Sequence, residues 1–240
     1  MPLRFWSFLL LTTLLIARSA VAQAPATSAH PPVRQIVPFA AMLFYEEART
    51  LAKANKPDEA MAKLKRAIEE YPDFFQARFD LAQELFRRKE MVAAFEMLEA
   101  ARRLNDRDAR VYRLFGTMML EQGKPKMAEF GFRQAIERDP AFAQTYQAHG
   151  AALTDLALQE TASAARANWL TQAELQLRKS LELSEGKLGF SHLHLARVYE
   201  ARGEKLKAAQ ELETFLLKNP RAANEKAIRE AVAKLRASEK

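Results

Sequence analysis

The sequence predicts an all-α protein in which helix-turn-helix units stack into a right-handed α-solenoid, and three observations lead there. The 240-residue chain is 49% hydrophobic but has only 7 Gly and 10 Pro. It therefore has enough apolar material for a core and few of the turn residues that sheets require. Small residues recur three and four apart with a large apolar residue between them, as in "PKMAEFGFRQAIERDP" (125–140), where Ala128, Phe132 and Ala135 share one helix face and Pro140 follows. The same arrangement returns along the chain at a nearly constant period, which describes an architecture rather than one helix.

The N-terminal elements come first. Arg4, the apolar run "FWSFLLLTTLLI" (5–16) and the small-x-small site Ala20-Val21-Ala22 read as an export signal occupying 1–22, cut after about Ala22. A run of twelve is short for a spanning helix, which needs about 20 residues; an uncleaved anchor holding the repeats at a membrane is the alternative. Residues 23–37, "QAPATSAHPPVRQIV", lack an apolar period and read as a flexible Ala/Pro-rich tether. With no Cys in the chain, disulfides, thiolate metal sites and a cysteine-linked lipid are excluded. The expected location is periplasmic or secreted. Removing 1–22 takes Arg4 and Arg18 and no acid, so the formal charge of +7 falls to +5, a modest excess for a nucleic-acid binder.

Five segments then repeat the opening pattern, with small residues at Ala60, Ala94, Ala128, Ala173 and Ala208, separated by 34, 34, 45 and 35 residues. A second series precedes each: "FYEEARTL", "RFDLAQEL", "YRLFGTMM", "YQAHGAAL" and "HLHLARVY", with Ala48, Ala82, Gly116, Gly150 and Ala196 as the small residues. Through Tyr112, Phe115, Gly116 and Met119 in one helix, and Ala128, Phe132, Ala135 and Pro140 in the next, the chain resembles the tetratricopeptide-repeat family. The resemblance covers residues 41 to about 222 and sets the repeats at about 41–74, 75–108, 109–142, 143–188 and 189–222, within a solenoid of 38–222.

The pattern has a physical reading. Paired helices approach closely only where a small side chain allows it, and large neighbours fill the space beside the contact. Gly116, Ala128 and Ala135 are the expected contacts; Phe115, Met119 and Phe132 are the filling. Pro140 should end one helix and suit the first turn of the next. Gly123, Gly203 and Asn55 are placed for left-handed turns inside the hairpins. The step of 45 puts 11 extra residues in the fourth unit, around 155–170. These are helix formers, so a lengthened hairpin protruding from one edge is expected, bending near 160–166, with Trp169 either plugging it or anchoring a partner. Residues 223–240 should form a capping helix whose stripe is Ala227, Ile228, Ala231, Val232 and Leu235.

Stacking leaves a concave surface lined by the first helices, which in the family usually holds a peptide or protein. The side chains expected to face it are Tyr45, Arg49, Phe79, Gln83, Phe86, Arg87, Arg110, Arg113, Gln147, Phe190, Leu193 and Arg197. Arginine among aromatics suits a ligand with carboxylates and an apolar anchor. The Lys and Asn pattern of the family's carboxylate-clamp members is not matched. No phosphate loop, metal-binding HExxH or nucleophile elbow is present, and His192 and His194, about 200° apart around a helix, cannot chelate one metal from one face. The expectation is a non-enzymatic binding scaffold with no cofactor, no metal and no nucleic acid, recognising a protein or peptide in its groove.

Overall fold

The computed structural model describes residues 36–238, which contain eleven α-helices and no strand. They are α1 (Phe39–Lys53), α2 (Pro57–Glu70), α3 (Phe75–Arg87), α4 (Met91–Leu104), α5 (Ala109–Glu121), α6 (Pro125–Arg138), α7 (Ala143–Gln159), α8 (Ser163–Leu183), α9 (Phe190–Arg202), α10 (Lys205–Lys218) and α11 (Glu225–Ala237). The signal and nearly all of the tether assigned from the sequence lie outside the described residues. Among those described, no helix is long and apolar enough to cross a membrane.

Each helix packs mainly on its sequence neighbours, α1 on α2, α3 on α4 and so on, which is the arrangement of an α-solenoid. Local chemistry sets the ends. Pro57 and Pro125 open α2 and α6 at the first helical position, where a missing N–H costs nothing. Asp108 caps α5, its Oδ1 accepting from Arg110 N at 2.9 Å. The hairpin turns place one residue in the left-handed region, at Asn55 (φ 57°), Lys89 (φ 64°), Gly123 (φ 66°) and Gly203 (φ 79°). Lys89 fills without glycine's freedom a place that three hairpins give to Asn or Gly. Pro140 is not in the first turn of α7. It lies in the link before it, where its carbonyl accepts a hydrogen bond from Tyr146 Oη at 3.1 Å.

Small side chains do make the helix contacts: Ala48, Ala82, Ala128, Ala135, Ala173 and Ala208 are each at most 2% exposed. A close backbone approach joins α5 and α6, where a Cβ on Gly116 would meet the Phe132 ring at 2.8 Å. A Cβ on Gly131 would lie 2.9 Å from the Cα and N of Gly116 itself. Gly131 completes the contact assigned from sequence to Gly116, Ala128 and Ala135. One apolar core runs from α1 to α7, and two smaller clusters continue it through α7–α10 and α9–α11.

The fourth hairpin holds its insertion as helix: α7 has 17 residues against 13 in α5, and α8 has 21 against 14 in α6. It turns at 160–162. The added turns do not simply protrude. Leu153, Ala157, Leu170 and Ala173 share a core with Leu195, Val198 and Tyr199 of α9, and Trp169 packs against that core. Glu174 fastens it, accepting from Tyr199 Oη (2.6 Å), Arg178 Nε (2.9 Å) and Arg202 Nη1 (2.5 Å). Burial alone would raise the Glu174 pKa, but these hydrogen bonds outweigh it and hold it at about 2.

At the C-terminal end α11 lays Ile228, Ala231, Val232 and Leu235 on the stack, while Ala227 from the expected stripe is exposed. Arg236 joins Glu213 of α10 at 2.9 Å.

Candidate functional site

The first helices of the second, third and fourth hairpins, α3, α5 and α7, converge on a cavity of about 570 Å³. Six of the expected groove residues line it: Phe79, Gln83, Phe86 and Arg87 from α3, and Arg110 and Arg113 from α5. Arg49 lines an adjoining space of about 200 Å³ together with Gln83 and Arg87. Tyr45 stands at the same edge, its hydroxyl donating to Asp80 Oδ2 at 2.9 Å. The other four are elsewhere. Gln147 is half-buried on α7 and lines none of these spaces. Arg197 Nη2 is held by Asp155 Oδ1 at 2.8 Å. Leu193 packs against the C-terminal core. Phe190 meets Phe215 at 5.5 Å between centroids and borders a separate cavity of about 520 Å³ beside the 219–224 link. The spacing rule failed at α9 because the capping helix and the lengthened hairpin occupy its flanks.

The cavity's three arginines are not equivalent. Arg110 is forked onto Asp108, with Nη2 to Oδ2 at 2.7 Å and Nε to Oδ1 at 3.0 Å, over the Phe79 ring at 5.0 Å; the Asp108 hydrogen bond raises its pKa. Arg87 pairs with Glu84 at 2.9 Å on its own helix. Arg113 lies over Phe142, 4.0 Å from the ring centroid, and its ion-pair partner is Asp139 at 4.0 Å. Burial lowers its pKa, and the Asp139 and Asp108 carboxylates only partly offset that. Its charge is therefore partly desolvated and only loosely paired, a state that gains from an incoming anion.

Sequence reasoning missed two members of this site. Phe142 occupies the helix-entry position of α7, the same register as Phe74 before α3, two repeat periods earlier. That recurrence is a signal in the sequence that lies in the links rather than within the helices. Asp80 sits one residue after the expected Phe79 and lines the cavity. Burial raises its pKa, opposed by the Tyr45 hydrogen bond and the nearby Arg110. The floor is apolar, formed by Leu114, Phe132 and Ala148. The arrangement offers a cationic, aromatic-backed rim over an apolar floor, which suits an extended or helical segment with an acidic group beside a large apolar side chain.

Residues 51–116 match the tetratricopeptide-repeat family model. Over that segment the chain matches the family, and the hairpins on either side of it repeat the same helix-turn-helix arrangement. Solved structures share the fold at low identity. YrrB, described as a tetratricopeptide-repeat protein with an unusual peptide-binding site, is 17% identical with a TM-score of 0.62, over 79% of this chain and 92% of that one. MamA of Desulfovibrio magneticus RS-1 is 15% identical with a TM-score of 0.65, over 78% and 99%. PilW, described as a widely conserved type IV pilus biogenesis factor, is 15% identical with a TM-score of 0.66, over 84% and 92%. No curated protein matches the chain. The tetratricopeptide-repeat fold is consistent with a protein-interaction scaffold.

Proposed function

We propose that this protein is an exported, non-enzymatic scaffold that docks a peptide or protein segment in the cavity between α3, α5 and α7 and so helps to organise an envelope-associated complex. The observation that carries the docking site is Arg113, a cation backed by Phe142 and left with one carboxylate 4.0 Å away at the rim of an apolar cavity. An acidic group on the ligand completes its ion pair, and a large apolar side chain fills the floor. The peptide-binding description of YrrB supports the class of ligand by analogy of fold. Export rests on the sequence of residues 1–22. In this reading the five hairpins correspond to the repeats assigned from the sequence period, and 223–240 caps them.

A displayed library of ten-residue peptides, selected on the purified chain, tests the site. Selected peptides should combine Asp or Glu with Phe, Leu or Trp, and Arg113→Ala should weaken them about tenfold or more, roughly 1.4 kcal/mol per tenfold. Arg110→Ala should cost less, because Asp108 already neutralises that side chain. Equal binding by all three proteins refutes the assignment. N-terminal sequencing of the exported protein tests the signal: a start at Gln23 supports cleavage, and an intact Met1 supports the anchor.

A further inference from the structure

The two ends of the stack are finished differently. In α3, α5, α7 and α9 the residue five before the small contact residue is Ala77, Val111, Thr145 or Ser191, each at most 1% exposed because the preceding hairpin packs there. The same register place in α1 is Leu43, which is 48% exposed, and beside it Ile36 (92%), Phe39 (84%) and Met42 (38%) also face outward. Seven residues on, Met118, Ala152 and Val198 are buried while Thr50 is exposed. Among the described residues, the first helix thus carries a stacking face with no helix stacked on it. At the far end, α11 covers the last hairpin and turns Lys226, Arg229, Glu230 and Lys234 outward, the polar finish that a terminal repeat needs.

We propose that α1 stacks against α1 of a second copy of this chain, closing a two-fold dimer through Phe39, Met42 and Leu43. The outer face of α11 is mainly charged, a poor match for an apolar head-to-tail neighbour, so the α1 face pairs with its own kind, as an isologous interface does. The chain's own upstream sequence is poorly suited to the role. One period of 34 before α2 falls on 23–36, where Pro25, Pro31 and Pro32 stand, and proline interrupts a helix. The four apolar side chains expose on the order of 500 Å² per copy. That is at the upper end of what a monomer leaves bare and over half of the ~800 Å² per partner in a standard interface. Glu46, Thr50 and Lys53 form the polar rim. The dimer should accordingly dissociate at micromolar concentration, since ~1,000 Å² in total falls in the weak, transient class below ~1,200 Å².

Sedimentation velocity of the purified chain over roughly 1 to 200 µM, spanning the range where micromolar binding saturates, should show the mass double. Leu43→Glu and Phe39→Glu should each remain monomeric with unchanged far-UV circular dichroism, because neither side chain is in the core, while Ala233→Glu on α11 should dimerise like the parent. The chain has no cysteine, so Leu43→Cys provides a thiol that should crosslink to its own copy with a short bismaleimide, whereas Ala233→Cys should not. A parent chain that stays monomeric throughout, hydrogen-exchange protection of 23–35 in a monomer, a dimer that survives both glutamate substitutions, or no crosslink at position 43 overturns the proposal.

Discussion

Gly131→Ala distinguishes a close helix contact from an ordinary helical glycine by the sign of its effect. The added methyl would sit 2.8 Å from Phe115 Cδ1 and 2.9 Å from the Cα and N of Gly116, against about 3.5–4.0 Å for carbon atoms at ease. Two of those three atoms are backbone, so no rotamer change relieves the clash and α6 must retreat from α5 by about 0.6–1 Å, a gap that forfeits a quarter to a half of each lining contact. Overpacking of this kind costs about 1–3 kcal/mol. Alanine's better helix propensity returns about 1 kcal/mol, leaving a net loss of up to about 2 kcal/mol. Urea unfolding followed by far-UV circular dichroism should show a lower midpoint at unchanged slope. A gain of about 1 kcal/mol, the value of Gly→Ala in an open helix, would refute the reasoning.

Lys89→Gly should stabilise by about 0.5–1 kcal/mol, because relief of the left-handed backbone (about 1–2 kcal/mol) exceeds loss of the exposed Glu121 ion pair (about 0–1 kcal/mol) and glycine's extra freedom when unfolded; a lower urea midpoint contradicts it. Burial lowers the pKa of His149, with Glu129 opposing, and burial with Arg197 beside it lowers that of His194. Each therefore binds fewer protons folded than unfolded, and stability should be flat above pH 7 and decline as pH falls below about 6.5. His149→Gln with His194→Gln should flatten that decline, measured as Tm against pH; an unchanged slope rejects the assignment. Glu174, held at about 2, adds stability that is complete above the ordinary carboxylate pKa and lost as pH falls from there toward 2, so Glu174→Gln should remove that lower step while leaving the histidine step in place.

Much of the fold was legible because stacking repeats turn a local requirement into a periodic signal. Ala128, Phe132 and Ala135 had to recur wherever two helices touch, and residues 34 apart meet equivalent neighbours. What depends on a single neighbour was less legible. Lys89 takes a turn position without a turn residue, since a tight hairpin can impose the geometry on any side chain at a cost. Gly131 was not legible, because one glycine beside Phe132 has no periodic counterpart. The hairpin at 143–183 was readable as an insertion, but its docking on α9 depends on Glu174, Tyr199 and Arg202, which are 25 and 28 residues apart. The site was half readable. Spacing identified Phe79, Arg110 and Arg113, yet it could not show that Asp108 neutralises Arg110 while Arg113 lies over Phe142, because the links between hairpins decide which charges are already matched.

Amide NMR of the chain titrated with a selected acidic-aromatic peptide tests the docking account most directly. The account predicts shifts concentrated on the cavity-facing residues of α3, α5 and α7, including Phe79, Arg113 and Gln144, with Arg113→Ala requiring about tenfold more peptide for the same shifts. Shifts centred instead on α4 and α6, or a titration that Arg113→Ala leaves unchanged, would contradict it.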